Sequence, residues 1–224
     1  LHLEQILVEE ILNKITPDSN ILGLYQWGSR LYGTHTDNSD YDLVVIVDTI
    51  WIDKPCGLFD WDNDRYNTSI LYQREGVDLH IMTIGEYQKQ LEQHRLIALE
   101  CYYNKHPLIP ITQPITFTLN LSNLRKSISA VVSNSWVKAK KKVNQGDVNT
   151  GLKSLFHSIR ILDYGLQIAR FGLIEDYYSR NYTLHEISYM FNTDNMTIEQ
   201  IQEHYKERQN RWATEFRLLC PLEN

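Results

Sequence analysis

No Cys-x-x-Cys pair occurs, and the three cysteines, Cys56, Cys101 and Cys220, stand far apart and odd in number. That excludes a zinc knuckle and a disulfide framework and leaves reduced thiols in a cytoplasmic protein as the expectation. No apolar run approaches the roughly 20 residues of a membrane-spanning helix, and no secretory leader is evident. Basic charge is not in excess: 22 Lys and Arg face 28 Asp and Glu, a net charge of -6. A long nucleic acid is therefore not an expected partner, although a short or local RNA contact stays open. Internal repeats and low-complexity tracts are missing too. What remains is 224 residues at 42% hydrophobic and 22% charged, with 14 Tyr and 5 Trp. Such a chain suits one large globular domain or two small ones.

Leu3, Ile6, Leu7, Ile11, Leu12 and Ile15 fall at helical spacing, and Thr16-Pro17-Asp18-Ser19-Asn20 ends that helix. Ile21 to Trp27 reads as a short strand stopped by Gly28-Ser29. Tyr41 to Val47 is apolar on both faces, the pattern of a strand in the middle of a sheet. Residues 53 to 66 read as a loop or insertion. Ser69 to Gln73 and Val77 to Thr83 are strand candidates joined by a turn. Gly85 to Tyr103 predicts one helix, and residues 114 to 119 a final short strand or a linker. Beyond residue 120 the chain turns helical, with a stripe of Leu152, Leu155, Phe156, Ile159, Leu162, Leu166 and Ala169. Further helices are predicted over 121 to 143 and 197 to 218. The fold class is thus α+β: a mixed-sheet N-terminal domain over 1–118, then an all-α bundle over 119–224.

The chemistry concentrates in GSRLYGTHTDNSDYDL, residues 28 to 43. Strand residues two apart share a face, so Asp40 and Asp42 project their carboxylates together. Adjacent carboxylates repel unless a cation compensates them. Mg²⁺ takes oxygen ligands, commonly one or two carboxylates plus substrate phosphates. Gly28 allows close backbone approach, and the following amides with the Ser29 hydroxyl can donate to phosphate oxygens. A helix starting there would add favourable partial charge, and Arg30 is a further phosphate partner or a plain surface cation. Asp78, an acid inside an apolar strand, asks for a metal or a salt bridge and is the third carboxylate. The plainer readings are a solvated turn for Asp-x-Asp and a structural acid at Asp78.

Gly-Ser, ten residues, Asp-x-Asp, with Gly33 and the Ser39-Asp40-Tyr41-Asp42 context, resembles the signature of minimal nucleotidyltransferases of the DNA polymerase β superfamily. The motif resemblance covers residues 20 to 83. It implies a nucleotidyltransferase-fold N-terminal domain and two Mg²⁺ ions, with Mn²⁺ a substitute, held by Asp40, Asp42 and Asp78. It also implies triphosphate contact at Ser29 and activation of an acceptor hydroxyl by Asp78. The expected reaction moves a nucleoside monophosphate from an NTP, ATP first among them, to a small-molecule, protein or RNA hydroxyl, releasing pyrophosphate. The helical half is similar to the partner domains that close over the nucleotide in such enzymes.

Several other features have two readings. Lys153, His157 and Arg160 share a helical face, either a nucleotide-binding face or simply the polar side of a helix. Lys138, Lys140, Lys141 and Lys142 form a basic run, either a solvated helix end or a contact for triphosphate or RNA. His80, on Asp78's face, reads first as a structural histidine. Arg180 to His185 is similar to the R-x4-6-H motif of HEPN-type ribonucleases, although Ile187 stands where that motif often has Tyr. Two alternatives to an enzyme of nucleotidyl transfer follow: an antitoxin-like or regulatory interaction module of the same fold, and a HEPN-like ribonuclease in the C-terminal half.

Overall fold

The structure is a computed structural model that describes residues 3–16, 18–50, 68–74 and 76–223. The expected loop over 53 to 66, with Cys56, lies outside the described residues. The chain divides into two compact units, Leu1–Glu92 with Ile97–Phe117, and Gln93–Leu96 with Thr118–Asn224.

The first unit runs α1 (Leu3–Ile15), β1 (Ile21–Gln26), α2 (Gly28–Leu31), β2 (Tyr41–Val47), β3 (Ser69–Arg74), β4 (Val77–Thr83), α3 (Ile84–Glu92) and α4 (Leu96–Tyr103). Among the described residues its four strands form one mixed sheet in the order β1-β2-β4-β3. β2 and β4 are parallel, and the two outer pairings are antiparallel. The apolar run of β2 is buried from Leu43 to Val47, as its two-sided pattern predicts for an inner strand. Leu43, Val45, Leu79 and Ile81 share a core cluster with Val8, Ile11 and Leu12 of α1. The other face carries Asp42, Val44 and Ile46 beside Asp78, His80 and Met82, in register. Helix α3 contacts both of those strands. Outside β1, Leu24 and Ile109 exchange backbone hydrogen bonds of 2.9 and 3.0 Å.

The single helix expected over Gly85 to Tyr103 is two helices. His94 has a left-handed backbone, φ 55°, which an α-helix cannot continue through. Its ring is buried, and Nε2 accepts the Asn120 amide at 2.8 Å. A buried histidine serving as an acceptor leaves no helix-breaking residue in the sequence to announce the break. Residues 114 to 119 form no strand.

The second unit contains α5 (Leu121–Asn144), α6 (Val148–Phe171), α7 (Asn181–Asn192) and α8 (Ile198–Leu219). Side-chain caps on Asn120 and Asp147 open α5 and α6, and a capping box of Thr197 and Gln200 opens α8. α6 is the axis of the unit. Its apolar stripe is buried from Leu152 to Leu166, and so are its polar Ser158, Asp163 and Gln167. A Cβ on Gly151 would stand 2.4 Å from the Val143 side chain and 2.9 Å from the Ala139 carbonyl oxygen, so α5 and α6 meet backbone to backbone there. The apolar periodicity predicts no helix at α7, whose first residues carry only the Arg180 to His185 motif. Among the described residues no helix is long and apolar enough to cross a membrane.

Candidate active site

The predicted carboxylates meet at one edge of the sheet, where β2 and β4 both begin. Asp42 and Asp78 are direct partners in the parallel register. Neighbouring strands lie about 4.8 Å apart, so two acids at paired positions feel each other strongly. Asp40 is exposed, just ahead of β2. The Asp42 carboxyl is pushed up to about 6, first by burial, then by the charges of Asp78 and Asp40. A hydrogen bond from the Ser29 amide and the charge of Arg30 oppose that rise without cancelling it. Asp78 Oδ2 accepts from Gln73 Nε2 at 2.8 Å, across the β3–β4 pair.

Gly28 is where the local sequence becomes decisive. Its φ is +61°, and a Cβ there would fall 2.0 Å from Asp42 Oδ2. Both conditions demand glycine: the backbone region is open to it at no steric cost, and the missing side chain is the space the carboxylate fills. The following turn, α2, packs on β2. Trp27 ties its start to the strand, its amide donating to the Asp42 carbonyl at 2.8 Å. The turn is only four residues long, so its individual amides matter here rather than a helix dipole.

Arg30 is occupied locally. Its guanidinium lies 3.7 Å from the centre of the Tyr41 ring and donates to the Ser39 carbonyl at 3.0 Å, pinning the loop between α2 and β2. His80 stands two residues beyond Asp78, its ring 5.0 Å from Trp27, edge to face. Burial lowers its pKa, which favours the neutral ring of a structural histidine.

Two observations went beyond sequence reasoning. Glu100 is fully buried in α4 yet takes hydrogen bonds from Trp27 and Tyr32, the residues flanking α2. An acid in Leu-Glu-Cys-Tyr, in the middle of a strongly apolar helix, was the available signal. Gln73 was the other, since only the β3–β4 register brings it to Asp78.

Lys153, His157 and Arg160 all lie on α6, in the second unit. They grade from solvent to interior: Lys153 is exposed, His157 half-buried and Arg160 buried. Burial and the charges of Arg160 and Lys138 hold His157 well below the usual range, so it is a neutral ring against the Arg160 guanidinium. The basic run at the end of α5 is partly paired, Lys140 with Glu199 and Lys142 with Asp147, both at 3.2 Å. Arg180 is committed to Asp163, with Nε at 2.9 Å, and lies 4.4 Å over the Trp212 ring. His185 is exposed on α7.

Among the described residues no group of three or more His, Cys, Asp or Glu side chains is gathered as a metal site. Asp40, Asp42 and Asp78 are close enough for the charges of Asp40 and Asp78 to act on Asp42. Their chemistry nevertheless fits a hard divalent cation. All three are oxygen donors at one edge, and Asp42 carries a negative charge that the protein's own groups leave undercompensated.

No protein-family model matches the chain, and no curated protein matches it. Among solved structures, the chain is similar to a nucleotidyltransferase-like protein from Exiguobacterium sibiricum, at 13% identity over 95% of this chain and 74% of that one. The TM-score of that likeness is 0.28. What the described residues define by themselves is an α+β protein with a mixed four-stranded sheet, whose candidate active site is a carboxylate edge closed by a glycine turn.

Proposed function

We propose that the protein is a metal-dependent nucleotidyltransferase that moves a nucleoside monophosphate from an NTP, ATP first among them, to an acceptor hydroxyl. The observation that carries this reading is the in-register Asp42–Asp78 pair against Gly28, where the backbone gives up a side chain to make room for a charged carboxylate. Asp40, Asp42 and Asp78 would hold two Mg²⁺ ions. Bound there, the ions would neutralise triphosphate charge and stabilise the attacking and leaving oxygens of an in-line displacement.

The chain's own groups supply the rest. The Ser29 hydroxyl, on the turn whose Ser29 amide already donates to Asp42, would donate to phosphate oxygens. Asp78, its Oδ2 fixed by Gln73, orients the acceptor hydroxyl and takes its proton through Oδ1. The acceptor oxygen forms a bond to the α-phosphorus as the bond to the bridging oxygen breaks, and pyrophosphate leaves with that electron pair. The acceptor is a small molecule, a protein side chain or an RNA end, the acidic balance favouring the first two.

A ribonuclease in the helical half would need Arg180 available to a phosphate, and Asp163 and Trp212 already engage it. An interaction module without turnover has no use for three repelling acids at one edge.

The test is incubation with each α-³²P-labelled NTP and Mg²⁺, with the Asp40→Ala/Asp42→Ala variant as control. Metal-dependent label transfer lost in that variant is the expected result. A wild type that neither turns over nor binds any Mg-NTP would overturn the reading.

A further inference from the structure

The polar group that stands out beyond the carboxylate edge is Glu100. It is wholly buried in α4, in a helix whose neighbours Ala98, Leu99 and Cys101 are core residues. Burying a carboxylate costs several kcal/mol of solvation unless donors replace the water. Among the described residues, two of the donors to Glu100 come from one place. Trp27 Nε1 donates to Oε2 at 2.5 Å, and the Tyr32 hydroxyl reaches Oε1 and Oε2 at 2.9 and 3.0 Å. Trp27 is the residue before α2 and Tyr32 the residue after it. One carboxylate therefore grips both ends of the turn that carries Gly28 and Ser29.

The grip extends into the site by three routes. The Trp27 amide bonds the Asp42 carbonyl, the Trp27 ring packs on His80, and the Tyr32 amide closes the turn on the Gly28 carbonyl at 3.2 Å. Gly28 in turn stands against the Asp42 carboxylate with no room to spare. A turn of four residues has little stability of its own. Something outside it must set its place to within a fraction of an ångström, since Ser29 must donate while Gly28 stays clear of Asp42.

We propose that Glu100 is a positioning residue of the active site: it clamps Trp27 and Tyr32 and so fixes the Gly28–Leu31 turn against Asp42. The role rests on the nucleotidyltransferase reading for its purpose, but the clamp itself is a property of the ligand-free protein and can be tested there.

The experiment is hydrogen exchange on the ligand-free full chain, paired with calorimetric titration of Mg-ATP. The variants are Glu100→Gln, Tyr32→Phe and, as a stability control in the same helix, Leu99→Val. The informative amides are those of Tyr32, Gly33 and Thr34, which bond to Gly28, Arg30 and Ser29 carbonyls. In Glu100→Gln and Tyr32→Phe they should exchange about tenfold faster while the β2 amides keep their protection. The Kd for Mg-ATP should rise about fivefold or more. Leu99→Val should lower the melting temperature without singling out the turn. Tyr32→Phe, which loses one hydroxyl, decides the matter should Glu100→Gln not fold. Unchanged turn exchange, or the same change in Leu99→Val, would overturn the clamp. A wild type that binds no Mg-ATP removes the nucleotidyltransferase reading, and the exchange rates still decide the clamp.

Discussion

Asp42 and Asp163 are both acids drawn in from solvent, one in each unit, and the protein treats them in opposite ways. Asp163 is buried in α6 and saturated: Arg180 faces it with its charge, while Ser179 at 2.6 Å and Gln167 at 2.8 Å bond its second oxygen. Asp42 is half-buried and set among its own kind, with Asp78 in register and Asp40 two residues away. Its carboxyl rises to about 6, first through burial and then through the charges of Asp78 and Asp40, which the Ser29 amide and Arg30 offset only in part. A buried acid supplied with its own arginine is part of the architecture. One surrounded by other acids and given space by a glycine is waiting for a cation from outside.

The contrast is broken most severely by removing the acids. Asp40→Ala/Asp42→Ala should cut nucleotidyl transfer by a factor on the order of 10³ or more, read by label transfer, because the lost groups act on developing charge. Unfolding in urea should register little loss of stability for that variant. The mirror experiment is Asp163→Ala, which leaves Arg180 without its buried partner. About 3 kcal/mol of stability should go, measured from the urea midpoint, since breaking one side of a buried pair costs about that much. Gly28→Ala brings the two effects together. A methyl group at 2.0 Å from the Asp42 oxygen, on a left-handed backbone, should cost about 2 kcal/mol and displace the carboxylate, abolishing transfer as well.

The smallest effect has the more telling sign. Asp42 has a folded pKa of about 6 against about 3.9 for an unfolded aspartate. A raised acid favours the folded state below the unfolded value, and that contribution is lost as pH climbs through 4 to 6. Above pH 6 the charged group is a standing cost. Asp42→Asn should therefore stabilise the ligand-free protein at pH 7 by on the order of 1–2 kcal/mol, discounted for its partial exposure. Near pH 4 the two proteins should melt together.

Much of this was open to sequence reading, for a physical reason. The apolar patterns of β1, β2 and β4 are strong enough to place Asp42 at the start of an inner strand and Asp78 within a strand, and the Gly-Ser spacing marks the turn. The parallel pairing that puts Asp42 opposite Asp78 is a long-range fact with no local signature. His94 broke the expected helix by adopting a left-handed backbone under tertiary control, which propensity does not encode. α7 escaped because its exposed Tyr182 and Tyr189 blur the apolar stripe around buried Thr183 and Ile187. Glu100 looked like one acid in a helix until Trp27 and Tyr32, some 70 residues earlier in the chain, were seen to close on it.

The most direct test sets stability against ligand response in melting curves at pH 7 of wild type and Asp42→Asn, each with and without Mg-ATP. The account predicts that Asp42→Asn melts higher than wild type alone, while only the wild type gains a higher melting temperature from Mg-ATP. An Asp42→Asn protein that melts lower and still responds to Mg-ATP as the wild type does would contradict it.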